Sequence, residues 1–350
     1  MRRLLRLVIV FVLLALASAA AAAWLGLRSL DEPLASSAPL RYKVAPGTSF
    51  ARIASDLASL GVVAQPRAWV VYARWKGLAS AVKAGEYEIE PGLTPRSLLA
   101  KMVKGDVIMH TFTIVDGWRV RDMLLALRRN PDVVATLVTN ADGQSDEADL
   151  VKKLGIDAPV AEGQFLPETY KFPGGTTDVE LLAQAHAALA RELAAAWKDR
   201  DVDQPLQSPE QLLTLASIVE KESSLPEELP KIAGLYLRRL TLGMRLQADP
   251  TVIYGLGARY DGAIHTADLR TDGPYNTYTR VGLPPTPIAL PSAAAIRASA
   301  HPQATEAIYF VASGNADGSH VFSATLQQQN AAVARYLAKL RRRESAGTAQ

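Results

Sequence analysis

An uncharged apolar segment near the N-terminus constrains this chain more than any other feature of its sequence. Residues 7–27 carry no charged side chain. As an α-helix they would span about 30 Å, the thickness of the hydrocarbon core of a bilayer. Arginines precede the segment, and Arg28 and the acidic stretch Asp31–Pro33 follow it. Because basic residues favour the cytoplasmic side, we expect a transmembrane helix at 7–27, with residues 1–6 in the cytoplasm and the rest exported.

A cleaved signal peptide is the alternative interpretation of this segment, because small residues fill positions 17–23. The apolar part of a signal peptide is usually about 7–15 residues long. The length of residues 7–27 therefore favours an anchor that is not removed. No second apolar run of this length occurs in the sequence, which predicts a single-pass protein.

The charge balance and the absence of cysteine exclude several classes of protein. Lys and Arg total 38 against 35 Asp and Glu, but four of the arginines lie within the first 28 residues. The remainder is nearly neutral, unlike a nucleic-acid-binding protein. Without cysteine there can be no disulfide, thiolate metal site or cysteine nucleophile. No HExxH, P-loop, G-x-S-x-G or dinucleotide-binding pattern occurs, so we expect neither a metal nor a cofactor.

The hydrophobic pattern predicts an α+β fold in two parts. Residues 28–40 are small, polar and proline-bearing, which is typical of a linker. Residues 41–106 have the pattern of a strand, two helices and a strand, and the pattern alone does not exclude a generic spacer domain. Residues 107–342 predict a larger domain of mixed strands and helices, and 343–350 a flexible tail.

The chemistry-bearing residues begin with a predicted helix over 209–222, capped by Ser208. At 100° per residue, Glu220 and Glu222 fall on the two borders of its apolar stripe. Partial desolvation there raises the pKa of a carboxyl, as a general acid requires. The helical geometry does not choose between the two glutamates, and an ordinary ion pair for Glu220 is the alternative.

Two downstream segments, 245–255 and 273–279, combine aromatic, amide and acidic side chains and are followed by a proline-rich stretch. Aromatic faces stack on sugar rings, and amides and carboxylates bind sugar hydroxyls. Rigid loops hold such groups with little ordering cost on binding. The alternative for both segments is ordinary turn chemistry. His320 follows a glycine turn, and we expect it to be structural.

A series of longer motifs then occurs along the chain in a fixed order. They are Glu162-Gly163, Pro167–Tyr170, Leu215–Glu222, Gly243–Gly255, Tyr275–Tyr278, Gly282–Ile288 and Tyr309–Ala312. This series resembles the endolytic murein transglycosylases, the YceG-like or MltG family. The resemblance covers nearly all of the chain beyond the anchor, and residues 41–106 are similar to the LysM-like module of that family.

The resemblance implies a single N-terminal transmembrane helix, a LysM-like βααβ module and a larger mixed α+β catalytic domain. It also implies cleavage of the β-1,4 bond between N-acetylmuramic acid and N-acetylglucosamine within peptidoglycan strands, leaving 1,6-anhydro ends. The family's catalytic glutamate corresponds to Glu220, which would act first as acid and then as base. By motif match, the candidate substrate-binding residues are Gln247, Asp249, Tyr254, Tyr275, Asn276 and Tyr278.

The resemblance also implies partners and a location. The expected partners are peptidoglycan glycan strands, the membrane through one helix, and peptidoglycan synthases of the penicillin-binding class, whose nascent strands the enzyme would terminate. The expected location is the inner membrane, with the catalytic domain in the periplasm. No nucleic acid is expected as a partner.

Two positions depart from the family pattern. Gln329-Asn330 stands where the family has a His-Asn pair, and Ser292 where it has glycine. Both are distant in sequence from Glu220, so we expect them to change loop detail only. Two other functions remain as alternatives: a muramidase that uses water, and a non-catalytic scaffold that binds the wall through the LysM-like module. Anhydro products are lighter than hydrolysed ones by one water.

Overall fold

The computed structural model describes residues 2–36, 38–140 and 146–347. This part of the chain is mixed α+β, with two-stranded sheets among a larger number of helices, which confirms the predicted fold class. The chain divides into two compact units. Unit 1 comprises Met1–His110 and Lys171–Thr176, and unit 2 comprises Thr111–Tyr170 and Thr177–Gln350.

Unit 1 begins with helix α1 (Arg2–Arg28). Its stretch Arg6–Arg28 is long and apolar enough to cross a membrane, as the sequence predicts, and the apolar side chains from Leu7 onward are exposed. The residues that follow do not form a free linker. Leu30 and Leu34 are buried in the core of unit 1, and the backbone N–H of Leu34 donates to the carbonyl of residue 93 across 2.7 Å.

The rest of unit 1 is a βααβ arrangement with an added helix. Its elements are β1 (Leu40–Val44), α2 (Phe50–Ser59), α3 (Pro66–Trp75), β2 (Gly85–Ile89) and α4 (Pro95–Lys104). Strands β1 and β2 pair in antiparallel register. Both helices pack their apolar faces inward, where Phe50 meets Trp69 edge to face with ring centroids 4.7 Å apart.

Strands β3 and β4 pair with each other, and the division between the units passes through both. In unit 2, β5 and β6 form an antiparallel pair. The elements after unit 1 are β3 (Met109–Thr113), α5 (Val120–Arg128), α6 (Glu147–Leu154), β4 (Thr169–Pro173), α7 (Asp178–Asp199), α8 (Pro209–Glu222), α9 (Leu229–Thr241), α10 (Asp249–Leu256), α11 (Thr266–Arg270), α12 (Ala293–Ala300), β5 (Tyr309–Ala312), β6 (His320–Ser323) and α13 (Leu326–Gly347).

Helix α8 is the centre of unit 2, and helices α7, α9, α10 and α12 pack against it. Its residues Leu212–Val219 are all buried, so the helix is enclosed on every side over this length. The sequence places Thr214 and Ser217 on a polar face, yet both are buried. Their hydroxyls donate to backbone carbonyls one turn earlier, across 2.8 and 2.7 Å, which removes the cost of burying them.

Candidate active site

Glu220 lies in the last turn of α8, where the helix emerges from the core of unit 2. It is half-buried at the wall of a cavity of about 440 Å³. The cavity is lined by groups from three separate parts of the chain: Asp116 and Gly117, the stretch 220–224 with Pro226 and Leu229, and Ser292 with Ala294.

Ser292 holds one oxygen of the Glu220 carboxyl. Its backbone N–H and its hydroxyl both donate to Oε2, across 3.0 and 2.6 Å. Ser292 is also the N-cap of α12, and its Oγ accepts the N–H of Ala295 across 3.1 Å. Within the described residues no group donates to Oε1 of Glu220. The carboxyl is therefore fixed through one oxygen, and the other is available to a ligand.

The turn Asp116-Gly117 covers the aliphatic part of Glu220. Gly117 has a φ of +70°, and a Cβ there would lie 3.6 Å from Cγ of Glu220. The turn is tied to the segment before α12 by two backbone hydrogen bonds, from Gly117 to Leu290 across 2.9 Å and from Leu290 to Trp118 across 2.7 Å. Asp116 thus shares the cavity with Glu220.

The surroundings of Glu220 favour its protonated form. Burial raises the pKa of Glu220 above its ordinary value, the hydrogen bonds from Ser292 oppose that rise, and the negative charge of Asp116 adds to it. Partial desolvation of its carboxyl also raises the pKa of Asp116, although the residue as a whole is exposed. Lys221, whose ammonium donates to the carbonyl of Gly117 across 3.2 Å, contributes in the lowering direction. The net result is a carboxyl suited to donate a proton.

Glu222 occupies a different environment two residues later. Its carboxylate accepts a short hydrogen bond from the hydroxyl of Tyr236, which is buried on α9. Burial raises the pKa of Glu222 to about 7. Glu222 also lines the cavity, but its carboxyl is more deeply enclosed than that of Glu220 and contributes a contact between α8 and α9.

The proline-rich segment that carries Ser292 is anchored on both sides. Ser217 of α8 accepts the backbone N–H of Ile288 across 3.0 Å. On the other side, a Cβ at Gly163 would lie 2.4 Å from Cβ of Pro287, and Gly163 has a φ of +81°. Only glycine permits this close approach. The preceding residue, Glu162, is 6% exposed and accepts the N–H of Val120 across 3.0 Å.

The candidate substrate-binding residues do not form a single cluster with Glu220. None of the six lines its cavity among the residues that the structure describes. Gln247 and Asp249 are exposed at the start of α10, and Gln247 has a φ of +51°. The hydroxyl of Tyr278 donates to Oδ1 of Asp249 across 2.5 Å, and both residues interact electrostatically with Glu222. This pair is therefore near enough to Glu222 for their charges to interact, although neither residue lines the cavity.

Tyr254 and Tyr275 form a second group, with rings edge to face at 4.8 Å. The guanidinium of Arg119 lies 4.9 Å from the Tyr254 ring, and the hydroxyl of Tyr275 is 2.7 Å from that of Thr286. Both tyrosines are half-buried. Arg119 lies two residues after Gly117 in sequence, so its contact with Tyr254 connects this group to the segment that carries Asp116 and Gly117.

Asn276 is buried, and its side-chain amide is used by the loop that contains it. Nδ2 donates to the carbonyls of Asp268 and Thr271 across 2.9 and 2.7 Å, and Oδ1 accepts the N–H of Tyr278 across 2.9 Å. This is the turn chemistry that the sequence left open as the alternative. Asn276 therefore supports the backbone of Tyr278, and both ends of its amide are already hydrogen-bonded within the part of the chain that the structure describes.

Ser292 corrects one expectation from the sequence. The sequence predicts a change of loop detail only at this position. In the structure Ser292 contacts the carboxyl of Glu220 directly, because its loop packs against a residue 72 positions earlier in the chain. The sequence predicts an ordinary turn at Asp116 and Gly117, and no local sequence pattern identifies them as residues of the candidate active site. The other departure, Gln329, donates to the carbonyl of Phe310 across 3.0 Å and holds α13 against β5.

His320 is structural, as expected. Its Nδ1 and backbone N–H each lie 2.7 Å from the carboxylate of Glu228, which is buried. Within residues 2–36, 38–140 and 146–347 no group of three His, Cys, Asp or Glu side chains could hold a metal ion.

Comparison with known proteins gives the family of the chain. The model of the YceG-like family matches residues 42–335. The chain is 29% identical over 327 residues to the endolytic murein transglycosylase of Bacillus subtilis, covering 89% of both proteins. It is 27% identical to the endolytic murein transglycosylase of Streptococcus pneumoniae, covering 76% of this chain and 53% of that protein.

A crystal structure of a YceG-like protein from Listeria monocytogenes is 25% identical, covers 84% of this chain and 99% of that one, and has a TM-score of 0.49. The family match spans most of the sequence and includes every motif on which the resemblance was based. The chain therefore belongs to the YceG-like family, the family of the endolytic murein transglycosylases.

Proposed function

We propose that this protein is a membrane-anchored endolytic lytic transglycosylase. Its substrate is the glycan strand of peptidoglycan, cleaved internally between N-acetylmuramic acid and N-acetylglucosamine to leave 1,6-anhydro ends. Relatives named endolytic murein transglycosylases in two bacterial species support the activity. The site geometry supports the assignment of Glu220 as the catalytic residue.

The observation that carries this proposal is the position of the Glu220 carboxyl. It lies at the wall of an open cavity, with Oε2 held by Ser292 and Oε1 available. Burial raises its pKa, so a larger fraction is protonated near neutral pH than for a carboxyl in water. A group in this state can act as a general acid towards an oxygen bound beside Oε1.

In the first step Glu220 transfers its proton to the glycosidic oxygen while the bond from that oxygen to C1 of the muramyl residue breaks. The glucosaminyl part leaves as an alcohol, and C1 gains positive character. Glu220 is then a carboxylate, and the two hydrogen bonds from Ser292 to Oε2 stabilise its charge.

In the second step the same carboxylate accepts the proton of the muramyl C6 hydroxyl, whose oxygen bonds to C1. The 1,6-anhydro ring closes and Glu220 regains its proton, so no water is consumed. One carboxyl serves both steps, unlike the pair of carboxyls in most glycoside hydrolases.

The residues beyond the cavity supply the proposed substrate groove. Tyr278 and Asp249 are hydrogen-bonded to each other and interact electrostatically with Glu222, and we assign them to a sugar-binding position outside the cavity itself. Tyr254 and Tyr275 offer half-buried aromatic surface, and Gln247 an exposed amide. We assign Asn276 a supporting role, since its amide is engaged by its own loop.

Helix α1 would anchor the enzyme in the inner membrane with unit 2 in the periplasm. The β–α–α–β order of unit 1 and its antiparallel strand pair support a LysM-like module. An anchored active site would be held near newly made glycan, which fits a role beside penicillin-binding synthases in ending nascent strands.

Mass spectrometry of the products tests this function. The purified full-length protein in detergent is incubated with purified sacculi, beside the variant Glu220→Gln. We expect the wild type to release fragments with anhydro ends, and the variant to release none above background. Undiminished cleavage by Glu220→Gln would mean that another group is the catalyst, and no cleavage by the wild type would favour a scaffold.

A muramidase is the second candidate, because Asp116 provides another carboxyl in the same cavity. Hydrolysing glycosidases use a second carboxyl as nucleophile or as base for water. The same experiment separates the two functions, since hydrolysed reducing ends are heavier than anhydro ends by one water. Predominantly hydrolysed ends would establish the muramidase.

A further inference from the structure

Helix α3 of unit 1 exposes large apolar side chains next to α1. Val71 is 67% and Trp75 72% exposed, whereas the opposite face of α3, including Trp69 and Ala73, is buried in the core of the unit. Val71 and Trp75 are four residues apart and so form an apolar row on one side of the helix, beside the exposed Arg67 and Arg74. An exposed apolar surface rimmed by charged side chains marks a candidate interaction site.

Helices α1 and α3 are in direct contact where this row begins. A Cβ at Gly26 would lie 3.2 Å from Cβ of Ala68, so glycine allows the two helices to approach closely. Between them lies a groove of about 440 Å³ whose walls run from Ala22 to Leu27 on α1 and from Arg67 to Trp75 on α3. The groove is almost entirely apolar.

The groove lies beside the C-terminal end of the apolar segment of α1. At 1.5 Å per residue, its α1 wall covers about the last 8 Å of the apolar segment that ends at Leu27. If α1 crosses a bilayer, Val71 and Trp75 lie level with the outer boundary of the hydrocarbon core. Because Leu30 and Leu34 are buried in the same unit, no free linker lets α3 move away from this depth.

Basic side chains lie against the tryptophan rings near the C-terminal end of α1 and on α3. The guanidinium of Arg28 lies 5.4 Å from the Trp24 ring, and the ammonium of Lys76 lies 4.5 Å from the Trp75 ring. Helix α3 adds exposed Arg67 and Arg74 and contains no acidic residue. Tryptophan together with lysine and arginine is the composition found at membrane–water interfaces, where basic side chains meet lipid phosphates.

We propose that α3 is a membrane-interface helix. Val71 and Trp75 insert among the acyl chains of phospholipids beside α1 and fill the groove, while Arg67, Arg74 and Lys76 bind the phosphates of anionic headgroups. The inference rests on the proposed membrane anchorage. Its consequence is that unit 1 lies on the membrane surface in one orientation, held by two helices.

Lipid is the occupant that the surroundings favour. One wall of the groove is α1 itself, whose large apolar side chains from Leu7 to Leu27 are exposed although the helix contacts α3 at Gly26. In a bilayer such a wall is surrounded by acyl chains. The positive charge along α3 complements a phosphate surface.

Spin labelling tests the proposal on the full-length protein in vesicles of phosphatidylglycerol and phosphatidylethanolamine. The chain has no cysteine, so Val71→Cys provides a unique site for a nitroxide. Val202→Cys is the matched control, since that valine is 84% exposed in unit 2. Collision rates with oxygen, which concentrates in lipid, and with a water-soluble nickel complex report the depth of each label.

We expect the ratio of oxygen to nickel collisions to be several-fold higher at position 71 than at 202. The combined variant Arg67→Gln, Arg74→Gln, Lys76→Gln should lower the ratio at 71, as should vesicles of phosphatidylcholine alone. Equal, water-like ratios at 71 and 202 would overturn the proposal, and so would equal immersion of both labels.

Vesicle flotation at alkaline pH separates this inference from the function on which it rests. A chain that floats with the vesicles but has position 71 in water retains its anchor and refutes only the role of α3. A chain that does not float lacks the anchor and refutes both. Cleavage of sacculi in detergent is measured separately and does not depend on either outcome.

Discussion

The hydroxyl of Ser292 lies 2.6 Å from Oε2 of Glu220 and donates its only proton to that oxygen. The same hydroxyl accepts the N–H of Ala295 and so caps α12. One side chain therefore links the start of a buried helix to the carboxyl of the proposed catalytic residue. Because hydrogen bonds to a carboxylate stabilise its ionised form, Ser292 acts as a positioning residue that also limits the rise in the pKa of Glu220.

Removing this hydroxyl should raise the pKa of Glu220. A hydrogen bond from a hydroxyl stabilises the charged form of a carboxylate. In Ser292→Gly we therefore expect the high-pH decline of kcat/KM to move to higher pH, since Glu220 stays protonated longer. Glycine costs a helix cap only a few tenths of a kcal/mol. Ser292→Thr, which keeps the hydroxyl, should leave the pH profile in place, and a downward shift in Ser292→Gly would contradict this role.

Replacing Asp116 should have the opposite effect. Its negative charge helps to raise the pKa of Glu220, so in Asp116→Asn the high-pH decline of kcat/KM should move down. The shift should be small, because Asp116 is exposed and solvent screens its charge. The shift should shrink in high salt. If the profile does not move at low salt, the two carboxyls are not electrostatically coupled.

Glu222 and Glu220 should differ sharply when each is replaced by glutamine. Loss of general acid–base catalysis typically lowers rates about 10²- to 10⁴-fold, which we expect for Glu220→Gln. Glutamine at 222 can still accept the hydroxyl proton of Tyr236, so Glu222→Gln should stay within a few-fold of wild type. Initial rates on purified sacculi measure both. Equal damage in the two variants would falsify the assignment of Glu220 as the single acid and base.

Glu162 should make the folded protein less stable as the pH rises. Burial raises its pKa to about 7 from an ordinary value of 4.5, so between these values the folded state holds a proton that the unfolded state has lost. The contribution of Glu162 to the free energy of unfolding is therefore fully present below pH 4.5. It is lost as the pH rises to about 7, and the loss is at most roughly 3 kcal/mol.

Unfolding of Glu162→Gln at pH 5 and pH 8 measures this effect. Glutamine can still accept the N–H of Val120, so the variant should lose less stability between the two conditions than wild type does. Glu168→Gln, at an exposed position, should leave the wild-type difference unchanged. An identical pH dependence in Glu162→Gln and wild type would mean that Glu162 ionises as readily folded as unfolded.

Gly163→Ala should displace the segment that carries Ser292. The new Cβ would lie 2.4 Å from Cβ of Pro287, at a φ of +81°. The left-handed backbone costs a non-glycine residue about 1–2 kcal/mol, and overpacking adds about 1–3 kcal/mol. Gly243→Ala has a similar φ of +66° but nothing within 4 Å, so it isolates the backbone cost. We expect a lower Tm and lower activity for Gly163→Ala, and a smaller loss of Tm with activity retained for Gly243→Ala.

Much of the local structure followed from the sequence. The apolar segment ending at Leu27, the helix over Pro209–Glu222 and the βααβ order of unit 1 are all present. Each depends on interactions within a few residues: hydrophobic periodicity, caps such as Ser208, and glycine turns. The place of Glu220 at a border of the helix also followed, because helical geometry fixes the direction of side chains along one element.

The sequence alone therefore determined the elements, the family and the candidate carboxyl, since these are written in short-range patterns and in motifs. Only the tertiary structure decided what surrounds that carboxyl. Asp116, Gly117 and Ser292 reach Glu220 from segments about 70 to 100 residues away, and no local pattern encodes such contacts. The same holds for Leu30 and Leu34, whose polar neighbours in sequence suggested a linker although both side chains are buried. Burial and long-range hydrogen bonds depend on how the whole chain packs, and that packing sets the proton affinity of Glu220.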